Sequence, residues 1–291
     1  MINVKKYNDK IDVSEKIIYE GIKFILSHFE KQPILFPRTI KTFDAKVPIK
    51  VECESPVQHS INKIFDIFKK SNYYDCKINC FAGDNNILKK YSTNFNNLKV
   101  KDKTISCFIM ITLDLQSVSH NKEKLDNILN KTLNKLSVKF YGESHPTVLW
   151  TGNGYSIYQP LEGIIFENDK IFYESVLNMH SKIDPITEFT RFVVNFFTDG
   201  KIDPTYLPSV NSCFIRVPGT FNFKNGEQVK TIQKWDGKSP TVQWITYDFK
   251  NYLKQKKIDE IHKRKREIEN KLFDYNQQQN QEDIFDKFKN L

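Results

Sequence analysis

A chain of 291 residues with 39% apolar composition can bury one large core or two small ones. Lys and Arg number 44 against 35 Asp and Glu, a net charge of +9 that favours a polyanionic partner such as nucleic acid. No apolar run reaches the length of a membrane span, no apolar leader follows Met1, and five cysteines cannot all pair, so the expectation is a soluble, reduced, cytoplasmic protein without a membrane partner.

Asp12 and Glu15 form a capping-box pair ahead of Ile17, Ile18, Ile22, Ile25, Leu26 and Phe29, which predicts an amphipathic first helix ended by Pro33 and Pro37. Ser55-Pro56 reads as a cap with proline at the first helical position, followed by Ile61, Ile64, Phe65 and Phe68 at helical spacing. Residues 74–81 alternate as a strand; Cys76, Ile78 and Cys80 share a face, so core packing explains these cysteines and no zinc is expected. Residues 82–104, rich in Asn and Lys, read as a surface loop.

Residues 105–115 read as a central strand, and Leu125, Ile128, Leu129, Leu133 and Leu136 place one stripe on a helix. Strands are expected at 148–150, 155–158 and 163–166. Asp184-Pro185 opens a helix with Phe189, Phe192, Val193, Phe196 and Phe197 inward, closed near Gly200. Further strands are expected at 212–217, 229–235 and 242–247. Beyond 254 the chain is charge-dense, with Ile258, Ile261 and Ile268 along one side and a polar run at 277–281.

Three segments concentrate candidate chemistry. Residues 108–115 read Phe-Ile-Met-Ile-Thr-Leu-Asp-Leu, and residues 147–160 contain Thr-Gly-Asn-Gly-Tyr-Ser. Residues 212–224 read Ser-Cys-Phe-Ile-Arg-Val-Pro-Gly-Thr-Phe-Asn-Phe-Lys, in which Arg216, Asn222 and Lys224 share parity and form a candidate cradle for an anion. The same run also reads as a plain hairpin, with Cys213, Ile215 and Val217 on a core and Pro218-Gly219 turning the chain.

In that order, an apolar strand ending in an acid, a Gly-Asn-Gly hairpin and an Arg-x-Pro-Gly-Thr-x-Asn-x-Lys element resemble the archaeo-eukaryotic primase superfamily, and within it the primase-polymerase branch of archaea, plasmids and viruses. The resemblance covers about residues 74–235. It implies an α+β fold with a primase-like catalytic core of mixed or antiparallel sheets and packed helices, followed by a helical C-terminal tail. The expected division is an N-terminal helical scaffold over 1–72, the catalytic domain over 73–253 and a charged helical tail over 254–291.

The resemblance implies an Asp-x-Asp pair and a third carboxylate holding Mg²⁺ or Mn²⁺. Residues two apart on a strand project to one face, so such a pair can bracket metal ions. Here the pair matches Thr112 and Asp114, so the first acid is a hydroxyl; in the register Asp114 and Gln116 the second acid would be missing. Asp203, in Gly-Lys-Ile-Asp-Pro, matches the third carboxylate, with Asp199 the neighbouring alternative. Relatives place His after Gly-x-Gly-x to contact phosphate, and this chain has Ser156, which replaces a charge-assisted contact with a neutral one. Backbone N–H groups up to Gly154 are expected near phosphate, with Arg216 and Lys224 on the triphosphate and Asn222 in support.

The function implied is a DNA primase or polymerase-like nucleotidyltransferase that makes or extends primers on a DNA template from nucleoside triphosphates. The alternative is a weakened or inactive relative that binds nucleotide or nucleic acid in replication. A third reading is a single-stranded RNA-binding module using exposed Tyr155 and Tyr158. Lys263, Arg264, Lys265 and Arg266 are candidate contacts to nucleic-acid phosphates. Residues 281–288 resemble a sliding-clamp-binding peptide, so a clamp or a replicative helicase is the partner expected of the tail.

Overall fold

A computed structural model describes residues 15–30, 36–80, 104–105, 108–142, 145–165, 185–200, 213–242 and 245–289. The chain is mixed α+β and divides into two compact units, Met1–Asn168 with Lys182–Gln243, and Asp169–Ser181 with Trp244–Leu291. The predicted loop at 82–104 lies outside the described residues except for its last position, Thr104, which is in a strand.

The first unit opens with helix α1 (Glu15–Ser27), whose apolar spacing buries Ile18, Ile22, Ile25 and Leu26 while Ile17 stays on the solvent side. Asp12 lies outside the described residues, and the Glu15 carboxylate accepts from the Tyr73 hydroxyl at 2.9 Å and pairs with Lys69 at 2.8 Å. Two strands follow, β1 (Arg38–Lys41) and β2 (Ile49–Val51), then helix α2 (Val57–Lys70) and strand β3 (Lys77–Asn79). Residues 1–72 are therefore not purely helical. Pro56 is the N-cap of α2 rather than its first helical residue, and Ser55 gives it no side-chain cap. Ser60 Oγ instead accepts from the Glu54 N–H at 2.8 Å and donates to the Glu52 carbonyl at 2.9 Å, fixing the chain that enters α2.

Strands β4 (Thr104–Ile105) and β5 (Phe108–Asp114) lead through a short 3₁₀ turn to helix α3 (Lys122–Lys139). Next come the hairpin β6 (Thr147–Trp150) and β7 (Gly154–Pro160), strand β8 (Gly163–Ile165), helix α4 (Pro185–Thr198), and strands β9 (Phe214–Arg216), β10 (Lys230–Gln233) and β11 (Thr241–Val242).

Two four-stranded antiparallel sheets carry the architecture, ordered β2-β1-β3-β9 and β10-β6-β7-β5, with a small third sheet β11-β8-β4. In the first, register aligns Ile40, Ile78 and Ile215, all fully buried, so one face of the sheet is core. Cys76, Cys80 and Cys213 are buried thiols around this sheet, and burial raises the pKa of each. Buried Arg38 donates to the Cys80 carbonyl at 2.7 Å and lies 4.0 Å over the Phe29 ring, tying β1 to the end of β3 and to the segment after α1. In the second sheet α3 and α4 pack on β5, whose Ile109, Ile111 and Leu113 are buried.

In the second unit, helix α5 (Ile245–Lys289) begins where a strand was expected to finish at 247. Phe249 and Leu253 are buried in it, and with Ile245 they fall at helical spacing, which overrides the local β-preference of Ile-Thr-Tyr. Among the described residues no helix is long and apolar enough to cross a membrane.

Candidate functional site

The face of the first sheet opposite its core carries Lys41, Lys77 and Arg216. Antiparallel register sets Lys41 opposite Lys77 and Lys77 opposite Arg216, so three cations form one row across β1, β3 and β9. The second sheet presents Met110, Thr112 and Asp114 from β5, opposite Tyr158, Ser156 and Gly154 of β7. A cleft of about 380 Å³ lies between these faces, lined by Thr112, Asp114, Asn153 and Ser156 on one wall and by Lys41, Lys77, Arg216 and Lys224 on the other. That volume falls in the roughly 300–1,000 Å³ range of small-molecule sites.

The three segments are joined by hydrogen bonds rather than merely adjacent. The Asn153 amide donates to both oxygens of Asp114, at 3.0 and 3.2 Å, and the Gln116 N–H donates to Oδ1 at 2.8 Å, so the carboxylate is held at the end of β5. The buried Asn222 amide donates to the Thr151 carbonyl at 2.8 Å, while its oxygen accepts from the Lys224 N–H at 3.0 Å. Asn222 thus fastens the Arg-x-Pro-Gly element to the Gly-Asn-Gly turn. Its polar atoms are engaged with the backbone on both sides.

Two glycines are needed by this arrangement. A Cβ on Gly154 would stand 2.0 Å from the Leu113 carbonyl oxygen, so glycine lets β7 close on β5. Gly154 itself does not line the cleft, although Thr151 and Asn153 of the same turn do. A Cβ on Gly21 would meet the Pro218 carbonyl oxygen at 2.2 Å, so the bare face of α1 seats the Pro218-Gly219 turn between Arg216 and Asn222.

Arg216 is paired with Asp75, whose Oδ1 also accepts from the Phe223 N–H at 3.4 Å. Lys41, Lys77 and Lys224 make no ion pair or side-chain hydrogen bond among the described residues. The half-buried Lys77 ammonium has its pKa pushed down to about 8, first by burial, then by Arg216, with Lys41 and Lys224 adding to the depression and Asp75 opposing it. Two like charges about 8 Å apart at an effective dielectric near 20 repel by about 2 kcal/mol, so a row of this kind is costly until an anion fills it.

Neither Lys41 nor Lys77 stood among the sequence candidates. The alternation that puts Cys76, Ile78 and Cys80 on the core necessarily turns Lys77 to the other face, which is the one signal available; Lys41 carried none. Thr112 and Ser156, the two altered motif positions, prove to be direct cross-strand partners. Asp203 lies outside the described residues. Asp199 follows α4 and pairs with Lys135 at 2.7 Å. Tyr155 and Tyr158 are buried at 7% and 1% exposure, which removes them as exposed stacking surfaces for RNA. Lys263, Arg264, Lys265 and Arg266 are exposed on α5, with Lys263 and Lys265 near Glu267 and Glu269. Residues 281–288 continue the same helix.

Among the described residues Asp114 is the one carboxylate lining the cleft, and no three His, Cys, Asp or Glu side chains cluster as metal ligands. That donor set does not by itself fit a metal pair. No protein-family model matches the sequence, and no curated protein matches it.

Proposed function

We propose that the chain is a primase-polymerase-like nucleotidyltransferase that binds nucleoside triphosphates in this cleft and makes or extends primers on a DNA template in replication. The observation that supports this is convergence. Residues 108–114, 151–156 and 214–224, the segments that carry the resemblance, line one cleft with an acid at one wall and cations at the other. Adding a nucleotide requires a primer 3′ oxygen to attack the α-phosphate as pyrophosphate leaves, so the protein's task is alignment and neutralisation of charge. Arg216 offers a fork for two phosphate oxygens and Lys224 a point charge, while Asn222 fastens the cationic segment to the Gly-Asn-Gly turn and Asn153 holds the Asp114 carboxylate.

A second reading, binding without chemistry, is favoured by the Thr112 and Ser156 pair, since both neutral residues sit together beside Asp114. Incubating the protein with single-stranded DNA, labelled nucleotides and Mn²⁺ separates the two. Template-dependent product that Asp114→Asn abolishes is expected; folded protein yielding no product with either metal contradicts the enzymatic reading.

A further inference from the structure

The strongest unexplained feature is the row of cations. Lys41, Lys77 and Arg216 come from three neighbouring strands in strict register and point into one cleft, where Lys224 joins them from the segment after β9. Four positive charges on one wall are met by Asp75 behind Arg216 and by Asp114 across the cleft. Lys77 is half buried, and no acid among the described residues pairs with it or with Lys41.

We propose that Lys41 and Lys77 complete, with Arg216 and Lys224, a four-cation clamp for the phosphate chain of the bound nucleotide. The proposal rests on the nucleotide-binding part of the reading above. A fully ionised triphosphate carries its charges on successive phosphates, and a linear row of cations matches that linear anion better than it matches a single phosphate. The cleft volume suits a nucleotide rather than a polymer. The pKa of Lys77 is depressed to about 8 first by burial and then by Arg216, with Lys41 and Lys224 adding to it and Asp75 opposing, so the neighbouring cations contribute a cost that a bound anion would relieve.

The test is equilibrium binding of a non-hydrolysable nucleoside triphosphate to the full chain, with thermal unfolding to confirm that each variant folds. Lys77→Ala and Lys41→Ala should each weaken binding about tenfold or more. Lys77→Arg should retain binding within a few fold. The ligand is fully ionised above about pH 8, so wild-type affinity should fall as pH rises from 8 towards 10 while that of Lys77→Arg stays level.

Inorganic tripolyphosphate should compete, and a single-stranded oligonucleotide should not. Competition by the oligonucleotide alone would assign the row to a nucleic-acid backbone and overturn the proposal. Unaltered binding in folded Lys77→Ala and Lys41→Ala, with Arg216→Ala weakened, would also overturn it. Binding with no nucleotide addition refutes the enzymatic reading and leaves the clamp standing; nucleotide addition with unaltered binding in both lysine variants does the reverse.

Discussion

The two positions at which the chain departs from the pattern it resembles stand side by side. Thr112 and Ser156 are opposite one another on β5 and β7, so an acid at one position and a histidine at the other would have formed a cross-strand pair of opposite charge. Restoring only the acid would set a carboxylate beside Asp114 on the same strand face without a counter-charge, which raises the pKa of one of the two. The double substitution Thr112→Asp with Ser156→His should therefore increase Mn²⁺-dependent nucleotide addition by at least about tenfold over wild type, and more than either single change, in the labelled-nucleotide assay. Equal activity before and after would show that these positions do not limit the reaction. Arg216, Asn222 and Lys224 were legible as a group because their types and parity are visible in one run. Lys41 and Lys77 were not, since a lysine on a short strand reads as solvated until pairing shows what stands beside it.

At the scale of elements, the scaffold behind the site explains two sensitivities. Gly21 lies inside α1, where alanine would ordinarily stabilise a helix by up to about 1 kcal/mol. Here the added Cβ meets the Pro218 carbonyl at 2.2 Å, and neither helix nor turn backbone can yield cheaply. Gly21→Ala should lower unfolding stability by about 2 kcal/mol in denaturant titrations and weaken triphosphate binding through displacement of the Arg216 strand end.

His28 is the second case. Its Nδ1–H donates to the Phe24 carbonyl at 2.8 Å, and Nε2 accepts from the Thr147 hydroxyl at 2.7 Å, whose oxygen in turn accepts from the Trp235 N–H. That assignment leaves the buried ring neutral, and burial pushes its pKa down to about 4. The unfolded chain then binds the extra proton first. The contribution of His28 to stability should be full above about pH 6.5, fall by about 3 kcal/mol as pH drops to about 4, and stay flat below that. A pH series of denaturant unfolding curves checks it, and His28→Phe should flatten the decline.

The elements that sequence patterns predicted well are those with long periodic runs, such as α3, α4 and the β6–β7 hairpin. The hairpin of β1 and β2 was missed because strands of four and three residues flanked by prolines carry too short an alternation to register.

At the scale of the whole first unit, the functional argument depends on which faces of two sheets oppose one another. Each sheet has a core face, Ile40, Ile78 and Ile215 in one and Ile109, Ile111 and Leu113 in the other, and alternation made the Ile78 and Ile215 positions readable. Polar residues of opposite parity are thereby fixed to the remaining faces. What alternation cannot supply is the long-range pairing that brings residue 41 beside 77 and 77 beside 216, because sheet order is set by packing of the entire unit. The acid and cationic walls meet, since Asp114, Arg216 and Lys224 line one cleft.

The most direct measurement is a crystal structure of the protein soaked with a nucleoside triphosphate and Mn²⁺. The account predicts the phosphate chain within hydrogen-bonding distance of Arg216 and Lys224, with the α-phosphate turned towards Asp114. A triphosphate bound elsewhere, or an empty cleft at saturating ligand, would contradict it.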